Sequence, residues 1–186
     1  SNSDFEKITA TVSTMKQTIL VMNKNSQNFY AEQILKTLGL QIKGRGSSNA
    51  GIEVLHAFMK KLGFSPDEYQ IEDGSGLSKG NKLSPRIITT LLTHMNEHPY
   101  RDVLYNSLPV SGIDGGLRHR MISSRYKNKI HAKTGYIAKT SALSGYIDTL
   151  NGDTLAFSII MNNFKDIGVI RKIQDNICQI LVDCYN

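Results

Sequence analysis

The sequence predicts an α+β domain: helices packed on a three-stranded antiparallel meander, with a C-terminal helix. Three observations carry this. Apolar residues recur at helical spacing through residues 12–106 and again at the end of the chain. From Lys129 the pattern changes to β-branched and aromatic runs broken by short turns, of which Asn151-Gly152-Asp153 is the strongest. Helices, then consecutive strands, then one helix is the order of an α+β domain, not of repeated βαβ units. The 186 residues are 40% hydrophobic and 20% charged, so residues 1–186 read as a single folded unit.

Val12, Met15, Ile19 and Met22 mark a first amphipathic helix over residues 12–24. Tyr30, Ala31, Ile34, Leu35 and Leu38 mark a second, closed by Gly39 as its C′ residue. A third runs from Ala50 to Leu62. A short strand at Tyr69 leads into a glycine-rich loop ending at Ser84-Pro85, an N-cap followed by proline at N1. Ile87, Ile88, Leu91, Leu92 and Met95 line one face of the helix that follows. A short helix over Arg101–Asn106 precedes a second glycine-rich loop, "LPVSGIDGGLRHR". "KIHAKTGYI" and "TSALSGYIDTL" form a hairpin, and "TLAFSIIMNN" adds a third strand. That strand is apolar at nearly every position, so both its faces are expected to be covered. Asp166 caps a last helix whose Ile170, Ile173, Ile177, Ile180, Leu181 and Cys184 are expected to face the core.

The net charge of +6 is scattered, densest over Arg118–Lys133, and no nucleic-acid motif accompanies it. It reads as mild attraction to acidic partners, and a nucleic-acid role would rest on charge alone. No apolar run approaches the ~18 residues of a membrane span. Cys178 and Cys184, six positions apart, would sit about 9 Å apart along a helix, so no disulfide is expected. His56, His94, His98 and His119 lack metal-ligand spacing, so neither metal nor cofactor is called for. Ser1–Ser3 resemble a cloning remnant, and no signal peptide precedes the first helix. Those features fit a cytosolic protein or a piece of something longer.

The chemistry concentrates in a few blocks. Lys133-Thr134-Gly135 sits on a predicted strand. There, glycine lets a substrate backbone approach while lysine and threonine supply a positive field and a hydroxyl. Ser26-Gln27-Asn28 falls in the break between the first two helices. A rival, Ser47-Ser48-Asn49, is better read as a helix cap at Ser48 or Asn49. The one S-x-x-K, Ser13 to Lys16, invites a nucleophile-base reading. A helix over residues 12–24 instead separates Ser13 from Ser26 by up to about 20 Å. Hydroxyls that share a reaction must approach to roughly 3 Å. Ser13 therefore reads as a cap and Lys16 as a solvated side chain.

In order along the chain stand "MNKNSQNFYAE", "DGSGLS", "LPVSGIDGGLRHR", "HAKTG" and "ALSGYI". Together they resemble the C-terminal half of the class C low-molecular-mass penicillin-binding proteins, serine D-alanyl-D-alanine carboxypeptidases and endopeptidases. The resemblance runs from Thr11 to Asn186 and implies a partial penicillin-binding/β-lactamase-like transpeptidase domain. It implies Ser26 as proton relay, Asn28 as holder of the substrate amide and Lys133 as the positive field over the relay and the substrate's terminal carboxylate. Thr134 would bind the terminal carboxylate, Gly135 give clearance, and the Tyr136 N–H form half of an oxyanion hole. The nucleophile of the family's S-x-x-K would lie upstream, so this chain alone is expected to be inactive. The partners implied are peptidoglycan stem peptides and β-lactams, and the location is periplasmic or extracytoplasmic. The last strand would pair in the family with strands outside this chain, so its open edge is expected to be covered by a homodimer. His131 is assigned to packing or hydrogen bonding, Asp73 and Asp114 to loop architecture, and Arg118 and Arg120 to a solvated or ion-paired surface role, with contact to a substrate carboxylate as the alternative. A non-catalytic peptidoglycan-binding or scaffolding module is the alternative. An S-x-x-K upstream of Ser1 separates it from the enzyme.

Overall fold

The sheet that positions everything else is built by residues 130–162, in a computed structural model that describes residues 12–184. Ser1–Ser3, read above as a cloning remnant, lie outside the described residues. Strands β1 (Ile130–Ile137), β2 (Thr140–Asp148) and β3 (Thr154–Asn162) pair antiparallel in the order β1-β2-β3. Ala138 and Lys139 join the first two, with φ of 43° and 64°. Two left-handed residues give the twist that a two-residue hairpin needs, here without glycine or asparagine.

Besides the sheet, the described residues form six α-helices: α1 (Met15–Asn25), α2 (Asn28–Lys43), α3 (Ser48–Lys61), α4 (Pro85–Asn96), α5 (Arg101–Ser107) and α6 (Ile167–Val182), of which α4 and α6 pack on the sheet. One core lies between the sheet and α6, where Leu117, Ile130, Leu143, Ile147, Cys178 and Val182 are fully buried. Burial pushes the Cys178 thiol up to about 12, so it is a packing residue. A second core holds Leu92 of α4, Leu108 and Tyr146, with the Tyr146 hydroxyl donating to the Leu92 carbonyl at 2.7 Å.

Several elements depart from the expectations. The second helix does not stop at Gly39. It runs to Lys43 and ends on Gly44 at φ 70°. Gly39 is instead a packing residue, because a Cβ there would lie 2.8 Å from the Gly51 nitrogen and 2.9 Å from Ala50 Cβ. The cap of α1 is Thr14, in a capping box with Gln17, and not Ser13. The cap of α3 is Ser47, and not Ser48 or Asn49. On α6 the line against the sheet is Gln174, Cys178 and Val182. Ile173 and Ile180 lie a helical step aside and are 40% and 66% exposed, while Cys184 lies past the helix and is exposed. In β3 only Phe157 is fully buried among the described residues, yet both faces meet a neighbour as expected: Leu155, Phe157 and Ile159 pack into the core beside α6, and Ala156 into the core beside α4. The outer edge of β3 carries no paired strand among the described residues.

The α2–α3 contact depends on Gly51, whose added Cβ would collide with the Leu35 carbonyl oxygen. Gly51→Ala gains about 1 kcal/mol of helix propensity but overpacks backbone against backbone. The expected outcome is a net loss of about 2 kcal/mol, read as a lower urea midpoint at unchanged slope.

Candidate active site

Ser26 occupies the link between α1 and α2 as the C-cap of α1, with φ 52° and ψ 49°. Its backbone N–H donates to the Met22 carbonyl, and Gln27 caps α2 directly afterwards. The left-handed turn lets two helices join without a loop. For a residue with a Cβ it costs roughly 1–2 kcal/mol. Lys133, 107 residues away on β1, donates its ammonium to Ser26 Oγ. The same ammonium donates to the Thr134 carbonyl at 2.7 Å. Burial holds the Lys133 pKa below the usual lysine value.

Two further segments wall the site. Asp73 accepts from the Gly76 and Ser78 N–H groups, both at 2.7 Å, and from Asn81 at 2.8 Å. Burial alone would raise its pKa, but these bonds, with one from Ser75, keep it below the usual carboxylate value. Glu32 of α2 fixes this loop to the helix by accepting from the Gly74 and Ser75 N–H groups at 2.7 and 2.9 Å. The second segment, residues 108–120, crosses from α5 to β1. Lys24 in the last turn of α1 donates to the Leu108 carbonyl at 2.6 Å and pairs with Asp114 at 2.8 Å.

A cavity of about 390 Å³ lies between the 73–78 loop and β1, lined by Ser26, Asn28, Ser75, Leu77, Lys133 and Thr134 among others. Ser26, Asn28 and Lys133 are therefore brought together, with Thr134, Gly135 and Tyr136 along the same wall. Asn28 is exposed and its amide makes no hydrogen bond among the described residues. The Thr134 hydroxyl nestles against Gly116, where an added Cβ would lie 2.5 Å from it.

Ser13 and Lys16 are not brought to the groove. Ser13 bonds Thr18 at 3.0 Å at the opposite end of α1, about 16 Å away along the axis, and Lys16 is exposed. His131 packs on the Tyr105 ring at 4.1 Å between centroids, and burial lowers its pKa. Asp73 and Asp114 organise loops, as expected. Arg120 is ion-paired, as one of its expected roles had it, with Asp175 at 2.7 Å, but its side chain is largely buried and does not lie free on the surface. Sequence reasoning missed Lys24 and Glu32 as anchors. Glu32 stood inside a quoted block, but only the fold gives its carboxylate two N–H donors. No three His, Cys, Asp or Glu side chains converge on a metal site among the described residues.

The sequence model of a family described as "D-Ala-D-Ala carboxypeptidase 3 (S13) family" matches residues 7–183. A D-alanyl-D-alanine carboxypeptidase of Actinomadura sp. (strain R39) is 33% identical over 153 residues, covering 80% of this chain and 28% of the relative. Penicillin-sensitive carboxypeptidase A of Dictyostelium discoideum is 31% identical over 171 residues, covering 86% of this chain and 31% of the relative. The chain thus spans about a third of the length of these relatives. Among solved structures, penicillin-binding protein 4 (dacB) of Haemophilus influenzae superposes with a TM-score of 0.80 at 23% identity. That match covers 90% of this chain and 40% of the other. The TLA-3 extended-spectrum β-lactamase gives 0.69 at 17% identity, covering 92% and 66%. At these identities the structural matches speak for the fold, which is of the penicillin-binding/β-lactamase-like type.

Two outcomes are expected of the site. Ser26→Gly should be more stable than Ser26→Ala by about 1 kcal/mol in urea unfolding, because both lose the hydroxyl but only glycine relieves the positive φ. The Lys133 amine, ¹³C-methylated and followed by NMR, should titrate below the ordinary lysine value of about 10.4. Its folded pKa is depressed, so between that pKa and the unfolded value the unfolded chain binds more protons. Stability should therefore rise with pH through that window, and Lys133→Met should lack this increment.

Proposed function

The chain belongs to the D-Ala-D-Ala carboxypeptidase 3 (S13) family, and on that premise we propose that it is the C-terminal part of a serine-type D-Ala-D-Ala carboxypeptidase or endopeptidase. Its longer form acts on peptidoglycan stem peptides outside the cytoplasm and is acylated by β-lactams. The observation that carries this reading is the Lys133–Ser26 hydrogen bond at the head of a groove walled by β1 and the 73–78 loop. The name of the penicillin-sensitive relative supports extending β-lactam acylation to this protein.

The roles follow from the chemistry of each group. A serine outside this chain attacks the amide carbonyl, and its lysine partner takes the hydroxyl proton. The carbonyl oxygen gathers charge that the Tyr136 N–H receives. Ser26 passes a proton to the leaving amine, which a hydroxyl can do because it both donates and accepts. Lys133 lowers the energy of that relay while it carries charge, and its partial burial strengthens the field at Ser26. Asn28 holds the amide of the acyl side, and Thr134 binds the carboxylate of the leaving side. The peptide lies along β1 as an added strand. Water then hydrolyses the acyl-serine.

We assign the open β3 edge to the part of the longer protein outside this chain, with a second copy as the other occupant. A non-catalytic binding module is the second reading, favoured by one observation: the chain's S-x-x-K stands at the far end of α1 from the groove.

Incubation with fluorescent penicillin and intact-mass measurement tests the assignment. This chain should form no adduct, because removal of a serine nucleophile costs on the order of a million-fold in rate. A stoichiometric adduct on Ser13 would overturn the reading of Ser13–Lys16, and one on Ser26 would overturn its role as relay. A longer protein carrying an upstream S-x-x-K serine should label. Lys133→Ala in that protein should slow labelling on the order of a hundredfold or more. A longer protein that binds peptidoglycan but does not label would establish the binding module instead.

A further inference from the structure

The groove does not end at Thr134. A second cavity of about 540 Å³ shares Ser26, Thr134, Gly135 and Tyr136 with the first and continues past Gly116 toward Arg118 and Arg171. Its lining includes three arginines and no carboxylate. Five of the protein's arginines pair with acids: Arg45 with Glu53, Arg86 with Glu68, Arg101 with Asp102, Arg120 with Asp175 and Arg125 with Asp183. The two others, Arg118 and Arg171, make no side-chain hydrogen bond or ion pair among the described residues, and both open into this cavity.

Their placement is fixed from below. Gln174 of α6 is fully buried, with its amide nitrogen donating to Ser141 Oγ at 3.2 Å and its oxygen accepting from Arg120 at 3.2 Å. Arg120 also reaches Asp175 at 2.8 Å and the Arg171 carbonyl at 3.4 Å. Arg120 thus ties the segment carrying Arg118 to the turn of α6 carrying Arg171. One arginine serves as the floor, and two remain for a ligand. A planar guanidinium is suited to a carboxylate, which it can hold through two hydrogen bonds.

We propose that this half of the groove is a second anion subsite, in which Arg118 and Arg171 receive a further carboxylate of the leaving group. The inference rests on the function proposed above. There the acyl side occupies the Asn28–Leu77 half, Ser26 delivers the proton to the leaving amine, and Thr134 takes the carboxylate beside the cleaved bond. What lies beyond Thr134 is therefore the leaving group. A cavity in the size range of drug-like ligands exceeds what one alanine fills. The leaving group it fits is an acidic peptide, so the subsite favours cleavage of a cross-link between two stem peptides over removal of a terminal alanine. The reaction is the same amide hydrolysis. The C–N bond breaks, the amine gains the proton from Ser26, and water supplies the hydroxyl to the acyl product.

Equilibrium binding to this chain tests the subsite without requiring turnover. Backbone ¹H–¹⁵N shifts are followed during titration with N-acetyl-D-Ala-D-Ala and with N-acetyl-D-Ala-D-Glu, which differ by one carboxylate in the leaving residue. The glutamate peptide should bind about three- to fivefold tighter, the range of a solvent-exposed charge pair, and the preference should fade at high salt. The double variant Arg118→Gln/Arg171→Gln should bind both peptides equally, while Arg45→Gln keeps the preference. Equal binding of the two peptides to the unaltered chain, with shifts at Ser26 and Thr134, overturns the subsite and leaves the groove standing. A preference that survives in the double variant also overturns it. Absence of shifts at Ser26, Lys133 and Thr134 with either peptide overturns the groove assignment and the subsite together.

Discussion

The structure depends on the way Lys24 anchors residues 108–117 between the end of α1 and β1. Its ammonium reaches both the Leu108 carbonyl and Asp114. Asp114 in turn accepts the Val110 N–H at 2.9 Å. From the other side, the Ala132 N–H donates to the Pro109 carbonyl and the Ser111 N–H to the Ile130 carbonyl. Ser111 is fully buried, and its hydroxyl donates to the Tyr126 carbonyl at 2.7 Å. A segment whose only helical piece is the 3₁₀ turn Gly115–Leu117 thus has backbone groups satisfied from both sides, as a buried loop must. The distance from Ser26 to Lys133 is set by this spacer, because neither α1 nor β1 packs its site residue into a hydrophobic core. Removing the Lys24 charge would leave the Asp114 carboxylate partly buried and unpaired, which is the costly way to break such a pair.

On this frame the site holds two local departures from what the chain would otherwise adopt. Ser26 takes a left-handed conformation that glycine would adopt at lower energy, and Lys133 keeps an ammonium where burial disfavours charge. Each is compensated by the other, since the ammonium donates to the hydroxyl that the turn presents. Such strain persists only where surrounding structure over-determines it. Here the surroundings are the helix pair on either side of Ser26 and the β1–β2 ladder beneath Lys133.

Element types and strand order were legible because hydrophobic period reports them directly: 3.6 on Pro85–Asn96, and strand runs between turn residues after Lys129. What periodicity could not report was how much of each apolar surface finds a neighbour. Gly39 looked like punctuation because glycine after a leucine run often ends a helix, yet its lack of a Cβ serves close packing with Gly51. Ile173 and Ile180 belong to the apolar stripe of α6 but miss the strip that β2 covers. Ser26, Asn28 and Lys133 were readable as motif members, while Lys24 and Glu32 were not, because their roles exist only in pairings across 42 to 90 positions. Arg171 was not legible at all, and for Arg118 the sequence offered a carboxylate contact only as an alternative shared with Arg120, until the fold showed which five arginines are neutralised.

The two halves of the groove differ in a way that suits the proposed hydrolysis. The proposed acyl side is lined by backbone, hydroxyl, amide and apolar groups with the Lys133 ammonium at its head, and Asp73 and Glu32 hold the 73–78 loop rigid. Fixed neutral donors orient an extended peptide and stay in place when charge develops on the carbonyl oxygen, so they can act selectively in the transition state. On the other side the contacts are exposed guanidinium groups. Exposed ion pairs are weak and screened by salt, and they hold a carboxylate remote from the cleaved bond equally before and after cleavage. Binding of that kind selects a substrate without accelerating its chemistry. In the proposed reaction it would also let the leaving peptide go, because a buried pair of the same charges would retain the product. On the proposed function, a rigid acyl side with one buried ammonium at its head and a loose leaving side with exposed guanidiniums are complementary parts of one groove, joined at the Ser26 hydroxyl that faces both.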